Sequence, residues 1–215
     1  MRGLRRDVMG CAASRRPSQR LLTPEAVSAL LPPAVSAGEP SQPRSLASKP
    51  DQILPWLYLG DHGASVSYQA LIDEGITHVL NVKGGFKIPP PPYNKQLTIK
   101  AVPLDDYGSS DIASALRECS TFINTARKNG GSCLVHCSQG MNRSPSVVLG
   151  YLVTDSRLRW TLREAFLHVR ARRPVISPLR VYFEQLQQIE VSVHRLHSTT
   201  LTTEESGIHL SGADK

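Results

Sequence analysis

Ser132-Cys133-Leu134-Val135-His136-Cys137-Ser138-Gln139-Gly140-Met141-Asn142-Arg143-Ser144 is the stretch that decides the reading of this chain. Ser132 to Val135 is a short apolar run of the kind found in a strand buried on both faces. Ser146 to Val153 is apolar and predicts a central helix, with its start near Arg143. The loop between them contains Gly140, which lets the backbone turn tightly. In a strand–loop–helix of this kind the loop N–H groups turn inward around an anion, and the helix adds its positive N-terminal end.

That setting gives each polar residue a task. A free cysteine has a pKa of ~8.5, and helix N-termini or cations lower it to ~3.5–7.5, so Cys137 is expected to be a thiolate nucleophile. Arg143 carries a planar fork of donors that grips two phosphate oxygens at once and stays charged. Ser144 is placed to donate toward the sulfur, which helps the thiolate leave. Ser138, Gln139, Gly140, Met141, Asn142 and Arg143 form the expected phosphate-binding loop. His136 is read as orienting the loop by hydrogen bonding, because the thiolate forms without a general base. A leaving oxygen needs a proton, and two carboxylates adjoin in Val102-Pro103-Leu104-Asp105-Asp106-Tyr107. Both follow a strand, and the chemistry alone does not choose between Asp105 and Asp106. Asp111 is expected to cap a helix instead.

Outward from this stretch the chain alternates strands and helices. Trp56-Leu57-Tyr58-Leu59 ending at Gly60 predicts a strand and turn, Ser67 to Glu74 a short helix, and Thr77 to Val82 a second strand. A loop broken by Pro89, Pro90, Pro91 and Pro92 follows, then a third strand over Leu97 to Val102. Ile112, Leu116, Cys119, Phe122, Ile123 and Ala126 share one face of a helix begun by Asp111 and ended by Asn129-Gly130-Gly131. Thr161-Leu162-Arg163-Glu164 is a capping box, and a last helix is expected from Pro178 to Leu196. The fold class predicted is α/β, with a mostly parallel central sheet flanked by helices. Cys133 and Cys119 read as core residues.

Composition sets the limits. At 40% apolar residues, with no segment near the ~20 consecutive apolar residues of a membrane span, a globular class is expected. Residues 1–50 carry seven Arg and one Lys against three acids and are rich in Ser, Pro and Ala, which predicts a disordered basic leader. Residues 51–196 hold the catalytic domain, and 197–215, Ser/Thr-rich, read as a flexible tail. A net charge of +7 suits anionic substrates; with no nucleic-acid motif beside it, no nucleic-acid partner is expected. Four cysteines in 215 residues fit a reducing compartment better than a disulfide scaffold, so the protein is expected in the cytoplasm.

Together these residues resemble the dual-specificity phosphatase family, within the cysteine-dependent protein tyrosine phosphatase superfamily. Its hallmark, His-Cys, five residues, then Arg-Ser, reads here from His136 to Ser144. Leu57-Tyr58-Leu59-Gly60, Gly75 to Val82, Arg173-Pro174, Pro178 and Gln185-Leu186 also match, so the resemblance runs from about Asp51 to Leu196. It implies a phosphocysteine intermediate, phosphorylated proteins as substrates, and no metal or cofactor. The family's acid loop, Ile-Pro-x-x-Asp, laid on Val102 to Asp106, selects Asp106 as general acid. The short loop between the third strand and Asp106 and the absence of large insertions favour a shallow pocket, expected to admit phosphoserine and phosphothreonine as well as phosphotyrosine. With no kinase-docking domain visible upstream, the chain is similar to the small, atypical members. The chain departs at Leu179, where many members carry an Asn that supports the loop, and at Met141-Asn142, an uncommon pair. Two alternatives are weighed: the same chemistry on a phosphoinositide, RNA 5′-phosphate or phosphoglucan, and a non-catalytic phosphoprotein-binding module.

Met9-Gly10-Cys11-Ala12-Ala13-Ser14 has the form of an N-myristoylation signal at an internal position. Translation from Met9 would expose Gly10 for lipidation, and Cys11, Arg15, Arg16 and Arg20 would add a second signal for membrane association through residues 9–20. Alternatively, Arg2, Arg5, Arg6, Arg15 and Arg16 belong to an organelle presequence, or the segment is a plain leader.

Overall fold

The computed structural model describes residues 22–31, 49–85 and 93–208. The Met9–Ser14 motif, its basic patch and the Pro89–Pro92 loop lie outside the described residues. In chain order the elements are α1 (Pro24–Ser28), β1 (Asp51–Leu54), β2 (Leu57–Gly60), α2 (His62–Val66), α3 (Tyr68–Asp73), β3 (Ile76–Asn81), β4 (Thr98–Ala101), α4 (Ile112–Lys128), β5 (Ser132–His136), α5 (Arg143–Thr154), α6 (Leu162–Arg172), α7 (Arg180–His194) and α8 (Thr203–Ser206).

The five strands form one sheet in the order β1-β2-β5-β3-β4. The β2–β5, β3–β5 and β3–β4 pairs are parallel, and β1 alone runs antiparallel, at the edge. This is the mostly parallel α/β sheet expected of the alternating pattern. Strand β5 lies at the centre with both neighbours parallel, so its backbone donors and acceptors are used on both sides. Its side chains alternate between two apolar layers. Cys133 and Val135 face the larger core with α4, α5, α6 and α7, while Leu134 joins Tyr58, Leu71, Ile76, Val79 and Leu97 on the other face. Helix α5 is buried along nearly its whole length, as its apolar run from Val147 to Val153 requires.

Local signals set the helix ends. Asp111 accepts from Ala113 N at 2.9 Å and caps α4, and the Thr161–Glu164 capping box opens α6 as the sequence predicts. Three expectations change. Trp56 lies in the turn of a β1–β2 hairpin that the sequence reading missed; its ring packs under Arg127, whose guanidinium carbon is 3.6 Å from the ring centroid. The short helix expected over Ser67 to Glu74 is preceded by another, and the two meet at Ser67. The last helix starts at Arg180, two residues later than expected.

The two ends of the described chain change most. The disordered leader expected through residue 50 does not hold for residues 22–31. Leu22 N donates to Arg157 O at 3.0 Å, Trp160 Nε1 donates to Leu22 O at 2.7 Å, and Val27 and Leu31 join the core. The flexible tail expected from residue 197 does not hold for the stretch reaching Ile208. Glu190, fully buried, accepts from Leu162 N, Thr199 Oγ1, Thr200 Oγ1 and Thr200 N. Burial pushes that carboxyl's pKa up, but these donors outweigh it and hold it below its usual range. Leu201 and Ile208 are buried in the core, and Arg170 reaches Ser206 O at 2.7 Å.

Candidate active site

Strand β5 delivers His136 to the edge of the sheet, and the chain turns through Cys137 to Asn142 before α5 begins at Arg143. Cys137 is 2% exposed. Its Sγ accepts from Gly140 N and from Ser144 Oγ, each at 3.2 Å. Burial pushes the thiol's pKa up. The Ser144 hydroxyl, the N–H groups of Ser144 and Gly140 and the Arg143 charge outweigh it, and the net direction is down.

Gly140 has φ +67°. A Cβ there would lie 2.6 Å from Gly60 O and 2.4 Å from the Arg173 guanidinium, so the loop closes only on glycine. The same guanidinium clamps the loop from outside. Arg173 is 1% exposed; its Nε donates to Gly140 O at 2.7 Å, one Nη to Gln139 O at 2.9 Å, and the other to Asp51 Oδ2 at 2.6 Å. Tying those carbonyls outward leaves the loop N–H groups to face inward. His136 is neutral at pH 7, its pKa pushed down to about 4 mainly by burial. Its Nδ1 lies 3.2 Å from Cys137 O; a carbonyl only accepts, so Nδ1 carries the proton and the ring orients the loop backbone.

Arg143 is buried at the start of α5. Its Nη2 donates to Ser138 Oγ at 2.9 Å and meets Asp106 Oδ2 at 3.1 Å. Its Nε is buried with no hydrogen-bond partner among the described residues. A buried guanidinium N–H left unpaired is costly, and beside a thiol and a helix N-terminus it has the geometry of a donor to an incoming oxyanion.

The two neighbouring aspartates separate cleanly. Asp105 turns back on its own loop and accepts from Tyr107 N, Ser109 N, Ser109 Oγ and Ser110 Oγ. Those bonds, the Ser110 hydroxyl foremost, hold its carboxyl well below the usual range. It is therefore committed as an anion to shaping the turn. Asp106 points at the phosphate loop instead, with its side chain 54% exposed. From α7, Tyr182 donates to Asp105 O at 2.6 Å and Gln185 to Ser110 O at 3.1 Å, which anchors this loop beside the pocket.

The structure thus brings Cys137, Arg143, Ser144 and Asp106 together, with Ser138, Gln139, Gly140, Met141 and Asn142 forming the loop between them. Arg173 was legible only as part of a motif, and its clamp was missed. At Leu179 the contact to the loop is made by the backbone, whose N–H donates to Asn142 Oδ1 at 2.8 Å. Among the described residues, no group of three or more His, Cys, Asp or Glu is placed to hold a metal ion.

Comparison with known proteins gives the family. Mouse dual specificity protein phosphatase 2 is 38% identical over 175 residues, which cover 80% of this chain and 54% of that protein. Dual specificity protein phosphatase 1 of Arabidopsis thaliana is 34% identical over 144 residues, covering 67% of this chain and 70% of the relative. The chain spans about half the length of the mouse relative it matches. The crystal structure of a point variant of human DUSP28 superposes with a TM-score of 0.63 at 28% identity, covering 69% of this chain and 98% of that one. A mouse putative dual specificity phosphatase solved with zinc tungstate gives the same TM-score, 0.63, at 28% identity, covering 74% and 96%. The profile described as "Dual specificity phosphatase, catalytic domain" matches residues 57–192, and the chain belongs to that family.

Proposed function

We propose that this chain is a cysteine-dependent phosphatase acting on phosphotyrosine and phosphoserine/threonine in proteins. The observation that carries the reading is a buried thiol held by Ser144 Oγ and Gly140 N, beside a buried Arg143 Nε with no partner among the described residues. The Cys137 thiolate attacks phosphorus while Arg143 and the loop N–H groups hold the equatorial oxygens. As the S–P bond forms, the P–O ester bond breaks, and its electron pair leaves on the ester oxygen. That oxygen takes the proton of the Asp106 carboxyl. Water then attacks the phosphocysteine and gives a proton to the Asp106 carboxylate. The S–P bond breaks, its electron pair returns to sulfur, and the Ser144 hydroxyl stabilises the departing thiolate. Each charge is met by a group of the chain itself, so the scheme calls for no metal or cofactor.

A protein substrate is favoured over a polyanionic headgroup by the composition of the loop. Ser138, Gln139, Met141 and Asn142 add no cation to Arg143, so extra phosphates on a lipid or an RNA end find no partner there.

The test is hydrolysis of phenyl phosphate and of phosphopeptides with chelator present. Wild type is expected to turn over, and Cys137→Ser to lose at least ~10⁴-fold. Asp106→Ala is expected to slow ~10²–10⁴-fold on a poor leaving group. Acid quench of wild type should trap phosphate on the Cys137 peptide. A wild-type protein that binds phosphopeptides and hydrolyses none of these esters would leave a binding module and remove the enzyme.

A further inference from the structure

We propose that Asn142 is the positioning residue for Asp106, an inference that rests on the reading of Asp106 as general acid. Asn142 occupies the N-cap of α5, where an asparagine side chain ordinarily accepts from the first free N–H groups of its helix. Here it makes no such bond. Those N–H groups stay available to an anion in the loop, and the side chain turns away. Its Oδ1 accepts from Leu179 N at 2.8 Å, and its Nδ2 donates to Asp106 Oδ1 at 3.1 Å.

Chemistry fixes the orientation of this amide. A backbone N–H only donates, so the oxygen must face Leu179, and the NH₂ group therefore faces Asp106. The residue is itself rooted: Asn142 O accepts from Ser146 N at 3.1 Å and Ser146 Oγ at 2.8 Å in the first turn of α5. One side chain thus joins the end of the phosphate loop, the segment entering α7 and the acid loop.

Asp106 needs such a hold. Its neighbour Asp105 is fixed by donors of its own turn, whereas Asp106 is more than half exposed and takes its bonds from Asn142 and Arg143. A carboxylate at the surface of a loop otherwise samples several rotamers. Arg143 is also the phosphate ligand in the proposed chemistry. Once its guanidinium turns to phosphate oxygens, Asn142 remains on Oδ1, and Oδ2 is the oxygen left to carry the proton. The bridge therefore sets which carboxyl oxygen faces the ester, a geometry in which a displacement of ~1 Å costs ~10²-fold.

A leaving-group comparison separates positioning from general support of the loop. The p-nitrophenyl ester leaves with little help from an acid, and the phenyl ester needs the proton. Asn142→Ala is expected to lower kcat on phenyl phosphate ~10–100-fold more than on p-nitrophenyl phosphate, whatever loss the two esters share through the altered loop. Leu179→Pro deletes the N–H that orients the amide at a φ of −58°, which proline adopts, and should show the same selectivity at smaller size. Asn142→Ala combined with Asp106→Ala should be no slower on phenyl phosphate than Asp106→Ala alone, within ~3-fold. Equal losses of Asn142→Ala on both esters, or additive losses in the double variant, overturn the coupling while leaving the acid in place. An Asp106→Ala variant without leaving-group selectivity removes the acid itself, and the inference falls with the reading beneath it.

Discussion

Strand β5 carries one buried cysteine in its body and delivers another just past its end, and the two have opposite chemistry. Cys133 sits between β2 and β3, paired with Leu57 and His78. Burial pushes its pKa far up, and little opposes that. Cys137 is almost as buried, yet its pKa goes down. The difference lies in where the backbone N–H groups go. Within the strand the sheet ladder uses them, as Cys133 N does in donating to Trp56 O at 2.9 Å. Past the strand end there is no ladder, so the N–H groups of Gly140 and Ser144 turn onto the sulfur, with the Ser144 hydroxyl and Arg143 beside them. Burial alone makes a thiol inert; burial with donors aimed at it makes a thiolate.

The largest contrast should appear in alkylation. At about pH 6 an ordinary thiol is almost wholly protonated, so iodoacetate should label Cys137 at least ~100-fold faster than Cys119 or Cys133. The sign follows from the shift. A lowered pKa keeps Cys137 ionised as pH falls below the usual thiol range, and labelling declines only once pH passes the lowered value. Cys119, pushed up to about 12 mainly by burial, should stay unlabelled throughout. Peptide mapping by mass spectrometry reads all three sites. Labelling of Cys137 that begins only near the ordinary thiol pKa would break the comparison.

The loop's shape depends on Arg173, so removing that side chain should erase much of the difference between the two thiols. Arg173→Ala takes away the partner that two loop carbonyls and Asp51 share, and is expected to cost about 3–5 kcal/mol of stability by denaturant unfolding. Labelling of Cys137 at about pH 6 should fall in parallel. Arg173→Lys keeps the charge and loses the fork, so it should restore only part of either signal.

A smaller effect is expected at Ser144. Ser144→Ala removes one of the two hydrogen bonds given to the sulfur at 3.2 Å, while the N–H of Gly140 stays. The thiol's pKa should rise, and turnover should fall ~10–100-fold. Because the sulfur is then a poorer leaving group, the second step slows more than the first, and stopped-flow kinetics should show a burst of product. A loss of turnover with no burst would place the role of Ser144 in the first step alone.

These predictions separate what was legible in the sequence from what was not. The loop from His136 to Ser144 is contiguous, and its position between a buried strand and an apolar helix follows from local pattern. Asp111 and Thr161 were legible as caps for the same reason: each acts within three residues of itself. The supports of the site come from far along the chain, and single-sequence spacing carries no trace of them. Arg173 reaches back to Gln139 and Gly140, and Asn142 reaches Leu179 on one side and Asp106 on the other. Side-chain chemistry could not rank Asp105 and Asp106, because their difference arises from which way each turns out of one loop. The docked segments at residues 22–31 and 198–208 escaped notice because composition averages over them. A few residues, Val27, Leu31, Leu201 and Ile208, are buried, and the remaining hold is a set of hydrogen bonds to Trp160, Arg170 and Glu190. β1 escaped because four residues at an antiparallel edge give little periodicity to read.

The smallest effect sharpens the comparison from its inert side. Cys133→Ala removes one buried sulfur from a packed layer that includes Cys119, Val135 and Leu80, and should lower stability by about 1 kcal/mol through the void it leaves. It should change neither turnover nor the pH at which Cys137 is labelled, since Cys133 gives no hydrogen bond to the loop. Its thiol lies 3.7 Å from Leu134 O, within its own strand. Four residues of extended chain also place it ~13 Å from the nucleophile, too far to form a disulfide without unravelling β5. Peroxide should therefore inactivate Cys133→Ala at the wild-type rate, with reductant recovering the same fraction of activity from both proteins. Faster irreversible loss in the variant would mean that β5 opens far enough for the two sulfurs to meet, and that the inertness of the first thiol belongs to the closed strand and not to the residue.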